Sequence, residues 1–131
     1  MEKQTLTDRL SQLHASAVHD VLCQIGCDDF VLPNTIKPIE SSQKLAGKIF
    51  TIEGEITTSH TPHDTLIEWT SLLSSIPQDY VGVCQPNTTE VALMGELSAE
   101  TLQKRGVIGY LVDGGCRDVS IIKKLNFSVF C

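Results

Sequence analysis

Val107-Ile108-Gly109-Tyr110-Leu111-Val112 is an almost unbroken apolar run, and it ends in Asp113-Gly114-Gly115-Cys116-Arg117-Asp118. A short apolar run bounded by turn residues is the pattern of a strand covered on both faces, and such strands belong to parallel sheets with helical crossovers. The neighbouring segments fit that frame. Tyr80–Cys84 reads as a short apolar strand. Ala92–Lys104 reads as a helix or a loop feeding one, with Leu97 and Leu102 inward and Arg105-Gly106 closing it. After the turn over Asp113–Cys116, Asp118 or Ser120 starts a helix bearing Val119, Ile122 and Leu125. Ser128–Cys131 opens another strand. Strand, helix, strand, helix, strand predicts an α/β fold with parallel crossovers.

The N-terminal half is less regular. Leu6, Leu10, Leu13, Ala17, Val21 and Ile25 recur at steps of three and four. That spacing predicts one helix over 5–25, capped by Thr5 or Thr7 and ended by Gly26. Residues 28–44 carry no period and contain Pro33 and Pro38, so an irregular connection is expected, with a short extended piece around Phe30–Leu32. Leu45–Glu55 reads as a strand with Ile49 and Thr51 on one face and Phe50 and Ile52 on the other. Thr57–His63 is a polar loop containing Pro62. His60 and His63 are read there as solvated, since no third metal ligand is near. Asp64 is expected to cap a helix over 65–75 with the stripe Leu66, Trp69, Leu72, Leu73 and Ile76, which Pro77 breaks. His14 and His19 read as surface residues, and Cys23 and Cys27 as small apolar packing residues.

Composition narrows the functional classes. Ten basic against sixteen acidic residues leave a net charge of −6. Such a balance argues against a nucleic-acid partner, which needs clustered cations. The five cysteines are odd in number and irregularly spaced, without a CxxC pair. This fits reduced thiols in the cytoplasm better than a disulfide framework. No apolar run approaches signal-peptide or membrane-span length, so no membrane partner is expected. At 131 residues the chain is read as one domain, 1–131.

Chemistry concentrates in Gly95-Glu96-Leu97-Ser98 and Asp113–Asp118. A glycine-led helix start leaves backbone N–H groups free, and the helix dipole favours an anion there, a substrate carboxylate being the natural guest. Glu96 could order a water or serve as a general base, or simply complement the dipole as a first-turn acid. The paired Gly114-Gly115 lets the chain turn tightly at the carboxyl end of a buried strand, where open α/β sheets bind ligands. Arg117 offers a rigid fork of donors for a carboxylate or enolate oxygen. Asp118 is a hard oxygen ligand suited to Mg²⁺ or Mn²⁺. The plainer alternative is an Arg-Asp surface pair at a helix start.

These residues resemble the family that contains the RraA-like regulators of ribonuclease E activity and the 4-hydroxy-4-methyl-2-oxoglutarate aldolases. The resemblance is carried by Gly95-Glu96-Leu97-Ser98-Ala99, Lys104–Gly109, Val112–Val119 and Leu125–Phe130. Ala17–Leu22 and Leu45–Lys48 fit more loosely. It implies a swivelling β/β/α domain, phosphohistidine-domain-like, assembled as trimers or dimers of trimers with active sites between subunits. It implies that backbone amides of Gly95, Glu96, Leu97 and Ser98 hold the carboxylate of a small 2-oxo acid with a pyruvate moiety. The acid matching Glu96 would hydrogen-bond water held by the metal, Arg117 would contact the pyruvyl oxygen and stabilise the enolate, and Asp118 would bind Mg²⁺ or Mn²⁺. The implied activity is a metal-dependent retro-aldol cleavage, with oxaloacetate decarboxylation through the same enolate. The implied alternative is a non-catalytic regulator that binds a ribonuclease or other protein.

The chain departs from the family pattern in three places. Gln78 stands where a glycine is usual, and Leu93-Met94 replaces a commoner aromatic before Gly95. No residue corresponds to an acid that the aldolases supply from the C-terminal part of a neighbouring subunit. Family chains run well past the position of Cys131, so the chain is expected to be a domain truncated in its C-terminal part.

Overall fold

The computed structural model describes residues 4–131. In chain order the elements are α1 (Leu6–Ser11), α2 (Ala15–Gln24), β1 (Lys48–Glu53), α3 (Pro62–Ser75), β2 (Tyr80–Gln85), β3 (Ala92–Met94), α4 (Glu96–Lys104), β4 (Gly109–Val112), β5 (Gly115–Cys116), α5 (Val119–Leu125) and β6 (Ser128–Phe130). The main sheet has the order β1-β2-β4-β6, and every pairing in it is parallel. A second, two-stranded sheet pairs β3 with β5. The fold is therefore mixed α/β with a parallel sheet, as expected.

Register explains the core. Phe50, Gly82, Tyr110 and Val129 lie in one row across the main sheet, and Ile52, Cys84 and Val112 in another. Because side chains alternate along strands, both rows face the same way. They meet Leu73 and Ile76 from the α3 region, Ala99 and Leu102 from α4, and Ile122 from α5. Consecutive right-handed crossovers in one direction place all three helices on that face. All four residues of β4 are buried, between β2 and β6. The apolar run that predicts a doubly covered strand is the sheet's interior. In β1, Ile49 and Thr51 are exposed, whereas Phe50 and Ile52 turn inward, the expected alternation.

Tyr110 brings its hydroxyl into this core, where it is buried without a hydrogen-bond partner among the described residues. The Cys84 thiol lies beside it, and burial pushes both groups above their ordinary pKa values. An unsatisfied buried hydroxyl costs about 1–3 kcal/mol. Tyr110→Phe is therefore expected to hold or raise stability, by about 1 kcal/mol, in urea unfolding.

Several sequence-based expectations need correction. The single helix over 5–25 is two helices, with His14 extended at the start of α2 (φ −83°, ψ 139°). The Gln12 amide does not continue the helix to the Asp8 carbonyl, which accepts from the Ser11 hydroxyl at 2.8 Å. That amide turns to Arg9 instead, and α1 stops. The apolar stripe survives the break but stays exposed: no residue of α1 or α2 is buried. In the irregular connection, the segment that pairs is 37–39, which bonds to β6 through an isolated bridge from Pro38 to Phe130. The outer edge of β6 is thus partly covered.

Helix α3 starts earlier than expected. Its cap is Thr61, which forms a reciprocal capping box with Asp64, and Pro62 takes the first helical position, where its missing N–H costs nothing. Pro62 and His63 are therefore helical rather than in the loop. The Thr61 hydroxyl, then its backbone amide, holds the Asp64 carboxyl below its ordinary pKa.

Candidate functional site

The minor sheet assembles the candidate site. The Arg117 amide donates to the Met94 carbonyl at 2.9 Å, extending the β3–β5 pairing. This sets the turn after β5 against the start of α4. Sequence reasoning treats Asp113–Cys116 as a plain turn and Ala92–Met94 as a lead-in. Asp113-Gly114 does turn, but Gly115–Cys116 and Ala92–Met94 are strands, too short to announce themselves by alternation.

Gly95 is the N-cap of α4, and its backbone is extended (φ −150°), so the glycine is not there for left-handed geometry. It is there for space. A Cβ at Gly95 would lie 2.9 Å from Arg117 Nε and 2.9 Å from Asp118 Oδ2. Residues 22 positions apart are thus brought together, and the Glu96 amide donates to Asp118 Oδ2 at 3.2 Å. The same oxygen lies 3.5 Å from Arg117 Nε. Carboxylate placement at this helix start agrees with the dipole. Asp118 adopts the left-handed conformation (φ 57°, ψ 27°) as N-cap of α5 without a side-chain cap bond. Its carboxylate is thereby aimed at α4 rather than at its own helix.

Two first-turn amides of α4, those of Leu97 and Ser98, donate to no acceptor among the described residues. They lie at a groove of about 350 Å³ that Gly95, Ser98 and Arg117 line together with α3. The Trp69 indole N–H donates to Ser98 Oγ at 3.0 Å, tying α3 to the site. Sequence reasoning places Trp69 in the core stripe and misses this role; its being the chain's one Trp is the available signal. Leu97, expected inward, is 76% exposed at the groove. Glu96 is half-buried beside it.

The donor set is oxygen-rich and sparse. Among the described residues, no three His, Cys, Asp or Glu side chains gather as a metal cage. Asp118 Oδ1 accepts no hydrogen bond among them, leaving one hard oxygen free. This fits an ion such as Mg²⁺, which takes one or two carboxylates and keeps several waters, and not a closed zinc site. Burial first, then the neighbouring Cys131 thiol, pushes the Cys116 thiol up to about 12.

This α/β domain thus joins a helix N-terminus, an Arg-Asp pair and an open groove. The chain belongs to the Aldolase/RraA family: the RraA-like model matches residues 15–131. That family includes proteins named as aldolases and others named as ribonuclease inhibitors. A Halalkalibacterium halodurans protein provisionally named 4-hydroxy-4-methyl-2-oxoglutarate aldolase is 26% identical over 100 residues, covering 76% of this chain and 45% of its own. An uncharacterized Methanocaldococcus jannaschii protein is 36% identical over 112 residues, covering 83% of this chain and 49% of its own. Streptomyces coelicolor RraAS2, described as an unusual member of the RNase ES inhibitor RraA family, has the same fold. Its TM-score is 0.79 at 19% identity, over 100% of this chain and 64% of that one. The chain thus spans less than half the length of these two sequence relatives. Among the described residues, no helix is long and apolar enough to cross a membrane.

Proposed function

We propose that the chain carries one half of the active site of a divalent-metal-dependent aldolase. It would cleave 2-oxo acids of the 4-hydroxy-4-methyl-2-oxoglutarate type to pyruvate and decarboxylate oxaloacetate. The observation that supports this is the meeting of Arg117 and Asp118 with the start of α4 at Gly95.

In this reading the free Leu97 and Ser98 amides take the substrate carboxylate, in line with the helix dipole. Arg117, 72% exposed at its side chain, reaches the 2-oxo oxygen. As the C3–C4 bond breaks, its electron pair moves into the enolate, and the guanidinium holds the charge that develops on oxygen. The C4 hydroxyl gives up its proton to a water that Glu96 would order, and that water returns a proton to C3 of the enolate, giving pyruvate. Asp118 would hold Mg²⁺ or Mn²⁺, which when bound polarises the 2-oxo group. The proposal includes a cytoplasmic homo-oligomer, a trimer or dimer of trimers, with a neighbouring copy completing the site.

The test is pyruvate release from 4-hydroxy-4-methyl-2-oxoglutarate, coupled to NADH oxidation. Release with Mg²⁺ that stops on chelation supports the proposal; no release from the assembled full-length protein contradicts it. Gly95→Ala should lower the rate by about 10²-fold, because a Cβ pushes Arg117 and Asp118 out of place. Its neighbours are side-chain ends, so the melting temperature should move by less than about 3 °C.

The alternative, a non-catalytic regulator of a ribonuclease, draws on likeness of fold and leaves the Arg117–Asp118 geometry without a task. Capture of an RNA-processing enzyme, unaffected by Asp118→Ala, would favour it.

A further inference from the structure

Serine and threonine inside a helix commonly turn the hydroxyl back to a carbonyl three or four residues earlier. In α3 and α4, Thr65, Thr70, Ser71, Ser74, Ser75 and Thr101 do so. Ser98 departs from that pattern. The two carbonyls it would use are engaged: Met94 accepts from the Arg117 amide and Gly95 from the Ala99 amide, each at 2.9 Å. The Ser98 oxygen instead accepts from the Trp69 indole N–H at 3.0 Å. An indole N–H can only donate, so the Ser98 hydroxyl keeps its own proton to give. Trp69 stands in the α3 wall of the groove with Pro62 and Leu66, and Ser98 lines the same groove beside Arg117. The Trp69 ring packs against the core, so the indole is a fixed donor.

We infer that the Ser98 hydroxyl is a further donor to the substrate carboxylate, beside the Leu97 and Ser98 amides, and that Trp69 is the positioning residue that turns it there. This rests on the proposed role of Arg117 and the start of α4 as the anchor of a 2-oxo acid. The indole occupies a lone pair on the α3 side of the Ser98 oxygen, which leaves the O–H bond to the groove. A hydroxyl that accepts one hydrogen bond also donates a stronger one. Hydrogen bonds to a carboxylate are in turn stronger than those to a neutral acceptor.

The experiment is isothermal titration of oxalate, in Mg²⁺, into the full chain as wild type, Ser98→Ala, Trp69→Phe and the double variant. Ala suits a helix and Phe keeps the aromatic body, so all four should fold, which thermal unfolding checks. Ser98→Ala is expected to bind about tenfold more weakly than the wild type. Trp69→Phe should lose about threefold, and the double variant should stay within about twofold of Ser98→Ala, because Trp69 acts through Ser98. Trp69 is the one Trp in the chain, so it gives a single indole N–H resonance. That resonance should shift as oxalate saturates the wild type, since the anion polarises the hydroxyl that accepts from it. Should a variant fail to fold, the wild-type resonance still decides. Wild-type affinity kept by Ser98→Ala overturns this inference alone. So does a double variant whose two losses multiply, or an indole resonance that bound oxalate leaves in place. No binding of oxalate by the wild type overturns the anchor itself, and this inference with it.

Discussion

Asp118→Asn is expected to lower Mg²⁺-dependent pyruvate release by about 10³-fold or more while leaving the fold intact. The two halves of that expectation have different sources. Position 118 is left-handed, a conformation that Asn tolerates as well as Asp does. The amide oxygen of Asn can still accept from the Glu96 amide, so the junction between the α5 start and α4 keeps its bond. What disappears is the charge: a neutral amide neither holds a divalent ion well nor pairs with Arg117. Asp118→Ala is the harsher control, because Ala loses the junction bond as well and is strained at positive φ. Thermal unfolding beside the rate measurement separates lost chemistry from lost structure.

The second large effect concerns the sheet. Gly109→Ala should destabilise the protein by roughly 3 kcal/mol and lower its melting temperature by on the order of 10 °C. Gly109 pairs with Ser128 in the β4–β6 register. A Cβ there would sit 2.7 Å from the Ser128 carbonyl oxygen and 2.5 Å from Leu45 Cδ1. Leu45 can rotate away, but the Ser128 carbonyl is backbone in the paired strand. Relief therefore requires β6 to move from β4, with loss of packing at Val129. Calorimetry on the variant measures the drop.

The main sheet was readable in the residues because its signals are local and strong. Six consecutive residues from Val107 to Val112 with no charge leave few options but a buried strand. The α3 stripe and the strand-helix alternation after Tyr80 are equally direct. The misses come from decisions made by one atom or by distant partners. The break in the N-terminal helix comes where the Gln12 amide turns from Asp8 to Arg9, which periodicity does not register. The β3–β5 sheet is three residues against two, below the length at which alternation exists. The pairing of 37–39 with β6 joins segments about ninety positions apart and has no local signature.

The candidate site divides in the same way. Gly95, Glu96, Arg117 and Asp118 stand out as residue types, and the structure brings the four together. Leu97 misled, because a leucine in a helical stripe is read as core, whereas position two of α4 faces the groove. The α3 wall at Pro62, Leu66 and Trp69 was hidden for a related reason. The stripe splits, with Leu73 and Ile76 taking the core and Leu66 remaining exposed.

The central claim is that Arg117, Asp118 and the start of α4 act as one site for a 2-oxo acid and its enolate. Oxalate tests it most directly, being a planar dianion that copies the carboxylate and enolate oxygens of deprotonated pyruvate. The measurement is isothermal titration of oxalate, in Mg²⁺, into the wild-type protein, Asp118→Asn and Arg117→Ala. Saturable binding to the wild type, weakened at least about tenfold in each variant, is the predicted result. Equal affinity in all three proteins, or no binding to the wild type, would contradict it.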